Sequence, residues 1–176
     1  MRRARRDLAY LARLSPVFRW LDLRERAMAC FQCVHAAWQR EDVREAADFM
    51  TDWYWKNQQL VVLDRWAAEG LVNHCEVKSV SRLRPILVLP SGAENAFQGS
   101  KVVIEISAEM QDFLARREGG EIVESSKSFK QVTSLWTFEL ADGRWRVSNI
   151  EDSALMSDYL DMLASQPRAE AAVRAG

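Results

Sequence analysis

The chain has 176 residues, enough for one domain with a sizeable hydrophobic core and short for two. Its hydrophobic share of 48%, charged share of 28% and formal net charge of −1 are ordinary for a soluble globular domain and give no overall basic field for nucleic acid. Three cysteines cannot close a set of disulfides, and no secretory signal or membrane-length apolar run is recognisable. We therefore expect a reducing compartment and no membrane-spanning segment.

Residues 1–15 predict a basic amphipathic helix that ends before Pro16. Leucines recur at three-residue spacing between arginines, and this composition is typical of a segment that lies on an anionic membrane surface. A solvated, mobile terminus is the simpler alternative. No aromatic stacking platform accompanies the arginines, so we expect no nucleic-acid partner. The predicted membrane-binding residues are Arg2, Arg3, Arg5, Arg6, Leu8, Leu11 and Leu14.

Three helices are predicted to follow this arm. The first, over 21–40, carries one continuous apolar stripe at helical spacing. A short second helix begins at Asp42, which with an acidic residue three positions later fits a capping box. The third runs over 53–69 with apolar residues on about half of its surface. Gly70 ends it, as glycine commonly does just past a helix.

The period of the pattern then changes to two, which indicates strands. A hairpin turn at "ADGR" joins the last two of them. We expect a last short helix over 153–163 and a flexible tail over 165–176. Helices first and an antiparallel meander second predict an α+β fold, with the N-terminal helices packed in a curved antiparallel sheet. The predicted strands are "NHCEVKSV", "ILVL", "KVVIEISAEMQDFL", "KQVTSLWTFEL" and "WRVSNI".

The stretch "CFQCVHAAW" contains residue types that bind metal or attach haem. On a helix, however, Cys30 and Cys33 lie about 60° apart, and His35 lies about 140° from Cys30 and about 160° from Cys33. One ion cannot be held tetrahedrally by all three. Val34 also interrupts the haem-attachment pattern. We therefore predict no metal and no cofactor here, with Cys30 a small buried hydrophobe.

An acid–base enzyme is the main alternative to a binding module, because side chains that can carry protons are available for a pocket. No pair of them is spaced so that the two must lie together. A solvated helix face explains Tyr54 and Asp64 without catalysis. We predict that the protein is not an enzyme, and the alternative rests on Tyr54, Asp64, His35, His74 and Asp112.

The chain has seven tryptophans, five of them between residues 20 and 66. We assign Trp38, Trp53, Trp136 and Trp145 to the core, because they stand at apolar positions of their predicted elements. The other three widen the apolar surface beyond a single stripe, which is typical of a hydrophobic pocket or a partner surface. The predicted pocket or partner surface comprises Trp20, Trp55, Leu63, Trp66 and His35.

The stretches "AWQREDVREAADFMTDWYWKNQQLVVLDRWAAEGLVN" and "AEMQDFL…GGEIVESSKSFKQVTSLWTFEL…GRWRVSNIED" resemble the inner-membrane translocase subunit 44-like domain family of mitochondria and bacteria. The likeness places this domain over 16–164 and implies the cone-shaped nuclear-transport-factor-2-like fold. Ser134 stands where the bacterial relatives are expected to carry an acid.

The resemblance implies a non-catalytic scaffold that docks proteins in protein transport or in assembly of membrane complexes. Its cone pocket would take an acyl chain or a partner's apolar side chains. It would lie peripherally on the cytoplasmic side of a bacterial inner membrane, or on the matrix side in a mitochondrion. Anionic lipid is a further expected partner, and the fold's habit of dimerising through its sheet makes a homodimer possible.

Overall fold

The computed structural model describes residues 2–175, with side chains over 2–173, and has six α-helices and five strands in that part of the chain. The helices are α1 (Arg2–Leu11), α2 (Trp20–Gln39), α3 (Asp52–Asn57), α4 (Asp64–Ala68), α5 (Met156–Ser165) and α6 (Ala169–Ala175). The strands are β1 (Leu71–Leu89), β2 (Lys101–Arg116), β3 (Ile122–Ser125), β4 (Lys130–Ala141) and β5 (Arg144–Asp152). Short 3-10 helices cover Pro16–Phe18, Val43–Phe49, Ala93–Asn95 and Ser153–Leu155. The predicted α+β fold is confirmed.

One antiparallel sheet has the strand order β1-β2-β4-β5, and β3 pairs with the end of β2 beyond β4. The two segments predicted as separate strands on either side of "SRLRP" form one strand, β1. The pairing of β1 with β2 shifts register at three points, the last of them between Pro85 and Leu87. Bulges of this kind bend a strand and increase its twist, so they give the sheet its curvature. Pro85 is tolerated because β1 is an edge strand.

The sheet has an inner face that packs on α2 and an outer face that packs on α5. Alternation along β4 divides the side chains: Trp136 and Phe138 belong to the main core on the inner face, and Leu135 belongs to a smaller core on the outer face. The apolar stripe predicted for the first long helix is confirmed, since Cys30 and Phe31 are buried in the main core.

The predicted third helix is confirmed in extent but is not uniform. A π-helical segment, Gln58–Leu63, joins α3 to α4. Its residue Gln59 is buried, and its side-chain oxygen accepts a hydrogen bond from the Val43 amide at 2.9 Å. Its side-chain nitrogen donates to the Asp64 carboxylate at 2.7 Å. The wide turn thus ties this helix to the Val43–Phe49 segment.

One side of the N-terminal helix α1 is part of the main core. Leu8 and Leu11 are 1% and 0% exposed. The side chain of Asp7 accepts a hydrogen bond from the Ala169 amide of α6 at 3.3 Å, and Ala169 itself is 2% exposed. Most of the region predicted to be a flexible tail is therefore a helix that packs on α1; Met1 and Gly176 lie outside the described residues.

Candidate functional site

A cavity of about 240 Å³ lies between the inner face of the sheet and the helices α2 and α3. We call it the cone cavity. Three of the five titratable residues named as candidates for acid–base catalysis line it, namely His35, Tyr54 and Asp112. The other two, Asp64 and His74, do not. Its lining comprises Val34, His35, Trp38, Tyr54, Gln58, Asn73, Cys75, Asp112 and Ile150.

His35 enters the cone cavity from α2. Its Nδ1 lies 2.8 Å from the Phe31 carbonyl oxygen, which can only accept, so Nδ1 carries the proton of this hydrogen bond. Its ring packs on Phe31 at 4.2 Å and on Trp136 at 5.5 Å between centroids. Burial lowers the pKa of His35, which favours the neutral ring and leaves Nε2 as an acceptor.

Asn73 and Asp112 reach the cone cavity from the neighbouring strands β1 and β2. The Asn73 side-chain nitrogen donates to the Asp112 carboxylate at 2.8 Å. This bond orients the amide, because only its NH2 group can face a carboxylate. The other end of the amide, Asn73 Oδ1, is buried and has no hydrogen-bond partner among the described residues.

Two further polar side chains of the cone cavity, Tyr54 and Cys75, are held in their neutral forms. Burial raises the pKa of the Tyr54 hydroxyl, and the Glu151 carboxylate raises it further. Burial also raises the pKa of the Cys75 thiol to about 12. Neither group is therefore activated as a base or a nucleophile.

The cysteine-rich stretch that suggested a metal site is part of the core of α2. Burial raises the pKa of Cys30 to about 12, which is typical of an inert packed thiol. Within residues 2–173, no three His, Cys, Asp or Glu side chains are placed to hold a metal ion.

A larger concave surface of about 780 Å³ lies on the outer face of the sheet, beside α5. We call it the outer groove. The sequence does not reveal it, because its lining comes from strand positions that alternate outward and from a helix far along the chain. Apolar residues on its sheet floor and on α5 surround a few charged ones. The lining includes Trp53, Leu87, Leu89, Lys101, Val103, Thr137, Glu139, Glu151, Leu155, Asp158, Tyr159 and Met162.

Trp53 is the most exposed aromatic side chain of the outer groove. It is 70% exposed, so its assignment to the core was wrong. Trp53 stands in the first turn of α3, where its side chain reaches the outer groove while the next residue, Tyr54, points into the cone cavity. Helical periodicity alone could not distinguish these two sides at a helix end.

The predicted pocket residues do not form one cluster. His35 lines the cone cavity. Trp66 packs edge-to-face on Trp38, which lines that cavity, at 5.7 Å. Leu63 is buried in the main core, and Trp20 and Trp55 are half-buried against it. A pocket role for this set stays a prediction.

The arginines of α1 have different surroundings. Arg2, Arg5 and Arg6 are exposed, whereas Arg3 donates hydrogen bonds to the backbone carbonyls of Leu163 and Gln166. Leu14, just past the helix, is 48% exposed. Since Leu8 and Leu11 are buried, membrane contact in this conformation would use the arginine side of α1 and Leu14 and not the whole predicted leucine stripe. Within residues 2–175, none of the helices has the length and the apolar content that spanning a membrane requires.

Comparison with known proteins decides the family. A family model described as the Tim44-like domain matches residues 5–152. The chain belongs to the Tim44-like domain family. This confirms the resemblance found in the sequence, and with it the nuclear-transport-factor-2-like fold of this Tim44-like chain. Tim44-like domains are associated with protein translocation and membrane complexes.

Thirty-six chains of solved structures match this Tim44-like chain. One is the crystal structure of the intermembrane space region of the chloroplast protein ARC6, with 11% sequence identity and a TM-score of 0.48. The match covers 73% of this chain and 94% of that one. None of the curated proteins matches the chain.

Proposed function

We propose that this Tim44-like domain is a non-catalytic docking module that binds an apolar, basic segment of a protein in a membrane-associated transport or assembly complex. The observation that carries the proposal is the outer groove, with Trp53 exposed at its edge. A tryptophan that is 70% exposed beside other accessible apolar groups, Leu155 and Met162, is the kind of residue that dominates protein–protein binding energy.

Charge in the outer groove favours a basic partner. Three carboxylates line it, from Glu139, Glu151 and Asp158, against one ammonium group, from Lys101. Lys101 lies 3.6 Å from Glu139, so that pair is already matched. The surplus negative charge therefore comes from the other two carboxylates and complements lysine or arginine beside the apolar anchors of the partner.

The docking proposal is tested by replacing single residues with a photo-crosslinking amino acid and irradiating the protein in a native membrane extract. Position 53 is expected to give adducts with a membrane-complex protein. Position 60 is the matched control, because Leu60 is also exposed, at 67%, and does not line the groove. Adducts should decrease when Asp158→Lys reverses one groove charge. Equal adducts from positions 53 and 60, or none from position 53, would refute the proposal.

We propose further that the exposed arginines of α1 hold the domain on an anionic membrane surface. Each basic residue near such a surface contributes roughly 1 kcal/mol. Deleting residues 1–15 is a poor test, because it also removes Leu8 and Leu11 from the core. Replacing Arg2, Arg5 and Arg6 by glutamine removes charge while leaving the buried leucines.

The measurement is co-sedimentation with liposomes that contain phosphatidylserine. The triple variant is expected to stay in the supernatant at a salt concentration at which the wild-type chain sediments. Equal sedimentation of both would count against the arginine surface. A matched triple variant removes three exposed arginines elsewhere and should sediment like the wild type: Arg65, Arg82 and Arg144.

The alternative function, an acid–base enzyme, has one observation in its favour, which is that His35, Tyr54 and Asp112 share the cone cavity. The hydrogen bond of Asp112 goes to Asn73 and not to His35, so the cavity lacks a base oriented by a carboxylate. The docking role is therefore the better supported function.

A further inference from the structure

The cone cavity carries an inference independent of the docking role, because it combines a buried acceptor that has no partner with a carboxylate and has no cation in its lining. Asn73 is 7% exposed, and its Oδ1 has no hydrogen-bond partner among the described residues. The bond from its nitrogen to Asp112, at 2.8 Å, keeps the amide from turning over. An unpartnered buried acceptor is costly unless a donor from outside the chain reaches it.

Two other acceptors line the same cavity. His35 uses its Nδ1 proton on the Phe31 carbonyl at 2.8 Å, which leaves Nε2 with a lone pair. Asp112 adds a carboxylate, and its residue is exposed, so the carboxylate lies at the mouth of the cavity. No lysine or arginine is among the lining residues, and none of the ion pairs within residues 2–173 includes Asp112. The cavity therefore offers one negative charge and several acceptors without a cation of its own.

The remaining walls suit an organic cation. Trp38 and Tyr54 supply aromatic rings, which attract a cation over their faces. Val34 and Ile150 supply apolar contact. The volume of about 240 Å³ is below the roughly 300–1,000 Å³ of sites for drug-sized ligands, so the occupant is small.

We propose that the cone cavity is a binding site for a small organic ammonium ion, whose N–H groups bond the Asp112 carboxylate beside Trp38 and, after a small shift of the Asn73 side chain exposes it, Asn73 Oδ1. A carboxylate ligand would face the Asp112 charge with only the neutral donors of Tyr54, Gln58 and Cys75 and with no cation, so an anion is disfavoured. A neutral alcohol could bond Asn73 but would leave the Asp112 charge unmatched.

The test is a titration of the full ¹⁵N-labelled chain, followed by amide chemical shifts, with methylammonium, n-propylammonium and guanidinium chlorides in turn. Isosteric controls are n-propanol and sodium propionate. At least one cation is expected to give saturable shifts at residues 34–38, 73–75 and 112, with affinity roughly tenfold or more above that of n-propanol, as expected for a charge-assisted hydrogen bond. Propionate should give none.

Two variants locate the site. Asp112→Asn changes an exposed residue, so the fold should persist, and it should weaken cation binding roughly tenfold or more. Asp158→Asn removes a carboxylate from the outer groove and should leave cation binding unchanged. Thermal unfolding of each variant checks that both are folded.

Four results would overturn the proposal. They are the absence of saturable shifts at the cavity for all three cations, equal binding of n-propanol, unchanged binding in Asp112→Asn, and equal weakening by Asp158→Asn. Equal binding of n-propanol would mean that water or any hydroxyl group can donate a hydrogen bond to Asn73 Oδ1. None of these outcomes bears on the docking role, which uses the other face of the sheet.

Discussion

Truncation of Leu8 to alanine tests whether α1 is part of the folded domain or a separable arm. The Leu8 side chain is 1% exposed and belongs to the main core, together with Leu11. Leu14 lies in the same N-terminal segment but is 48% exposed, so Leu14→Ala is a matched control. The two variants delete the same atoms from opposite environments.

The expected difference follows from burial. Removing a buried leucine side chain costs about 2–5 kcal/mol, the sum of lost transfer free energy and the cavity left behind. In a domain of 176 residues, a typical loss of about 3 kcal/mol lowers the melting temperature by about 6–12 °C. The exposed leucine should change the free energy of unfolding by no more than about 0.5 kcal/mol.

Urea unfolding followed by far-UV circular dichroism gives the free energy, and the slope with urea shows whether unfolding remains two-state. A loss below about 0.5 kcal/mol for Leu8→Ala would refute the packing of α1 in the core. The membrane-arm interpretation of the leucines would then be preferred. Equal large losses for both variants would contradict the argument from burial, because Leu14 is exposed and lies outside α1.

Two further predictions concern buried charge. Because burial lowers the pKa of His35, the unfolded chain binds more protons as the pH falls through about 6.5, so the wild type should lose more stability between about pH 7.5 and pH 5 than His35→Gln does; equal losses by urea unfolding would contradict this. Arg84 lies 2.6 Å from the carboxylate of Glu105, which is 6% exposed, so Arg84→Met should cost about 1–3 kcal/mol. Lys78→Met, which breaks the more exposed pair with Glu109, should cost no more than about 1 kcal/mol by the same assay.

Sequence periodicity predicted the elements that carry a strong one-sided pattern. The stripe of α2 follows from burial of one helix face and is confirmed. The strand predicted at β4 is also confirmed, although it is buried on both of its faces over 135–138. Strand β3 was not predicted, because its four residues are all exposed and show no alternation. It forms by pairing with Phe113–Ala115 of β2, a contact that local sequence does not encode. Helix α6 was missed for a similar reason, since it is held by Asp7, distant in sequence.

The cone cavity shows what sequence could and could not supply. His35 was recognised at the edge of the α2 stripe, and Asp112 was named among the titratable residues. Asn73 was not predicted, because nothing in the sequence distinguishes a buried asparagine of an alternating strand from a solvent-exposed one. Its role depends on a partner, Asp112, that lies 39 residues away and reaches it only through the pairing of β1 with β2.

The cone cavity and the outer groove lie on opposite faces of one sheet but share two short stretches of chain. Trp53 lines the groove and Tyr54 the cavity, and Glu151 lines the groove while Ile150 lines the cavity. The Glu151 carboxylate also raises the pKa of Tyr54, so the negative charge of this groove residue acts electrostatically on a residue of the cavity. A basic segment that neutralises Glu151 would reduce the negative potential around the cavity. Because coupling between two ligands is reciprocal, a segment that neutralises Glu151 and a small ammonium ion should each weaken the binding of the other. This coupling is specific to Glu151, since Asp158 is not among the groups that shift the pKa of Tyr54.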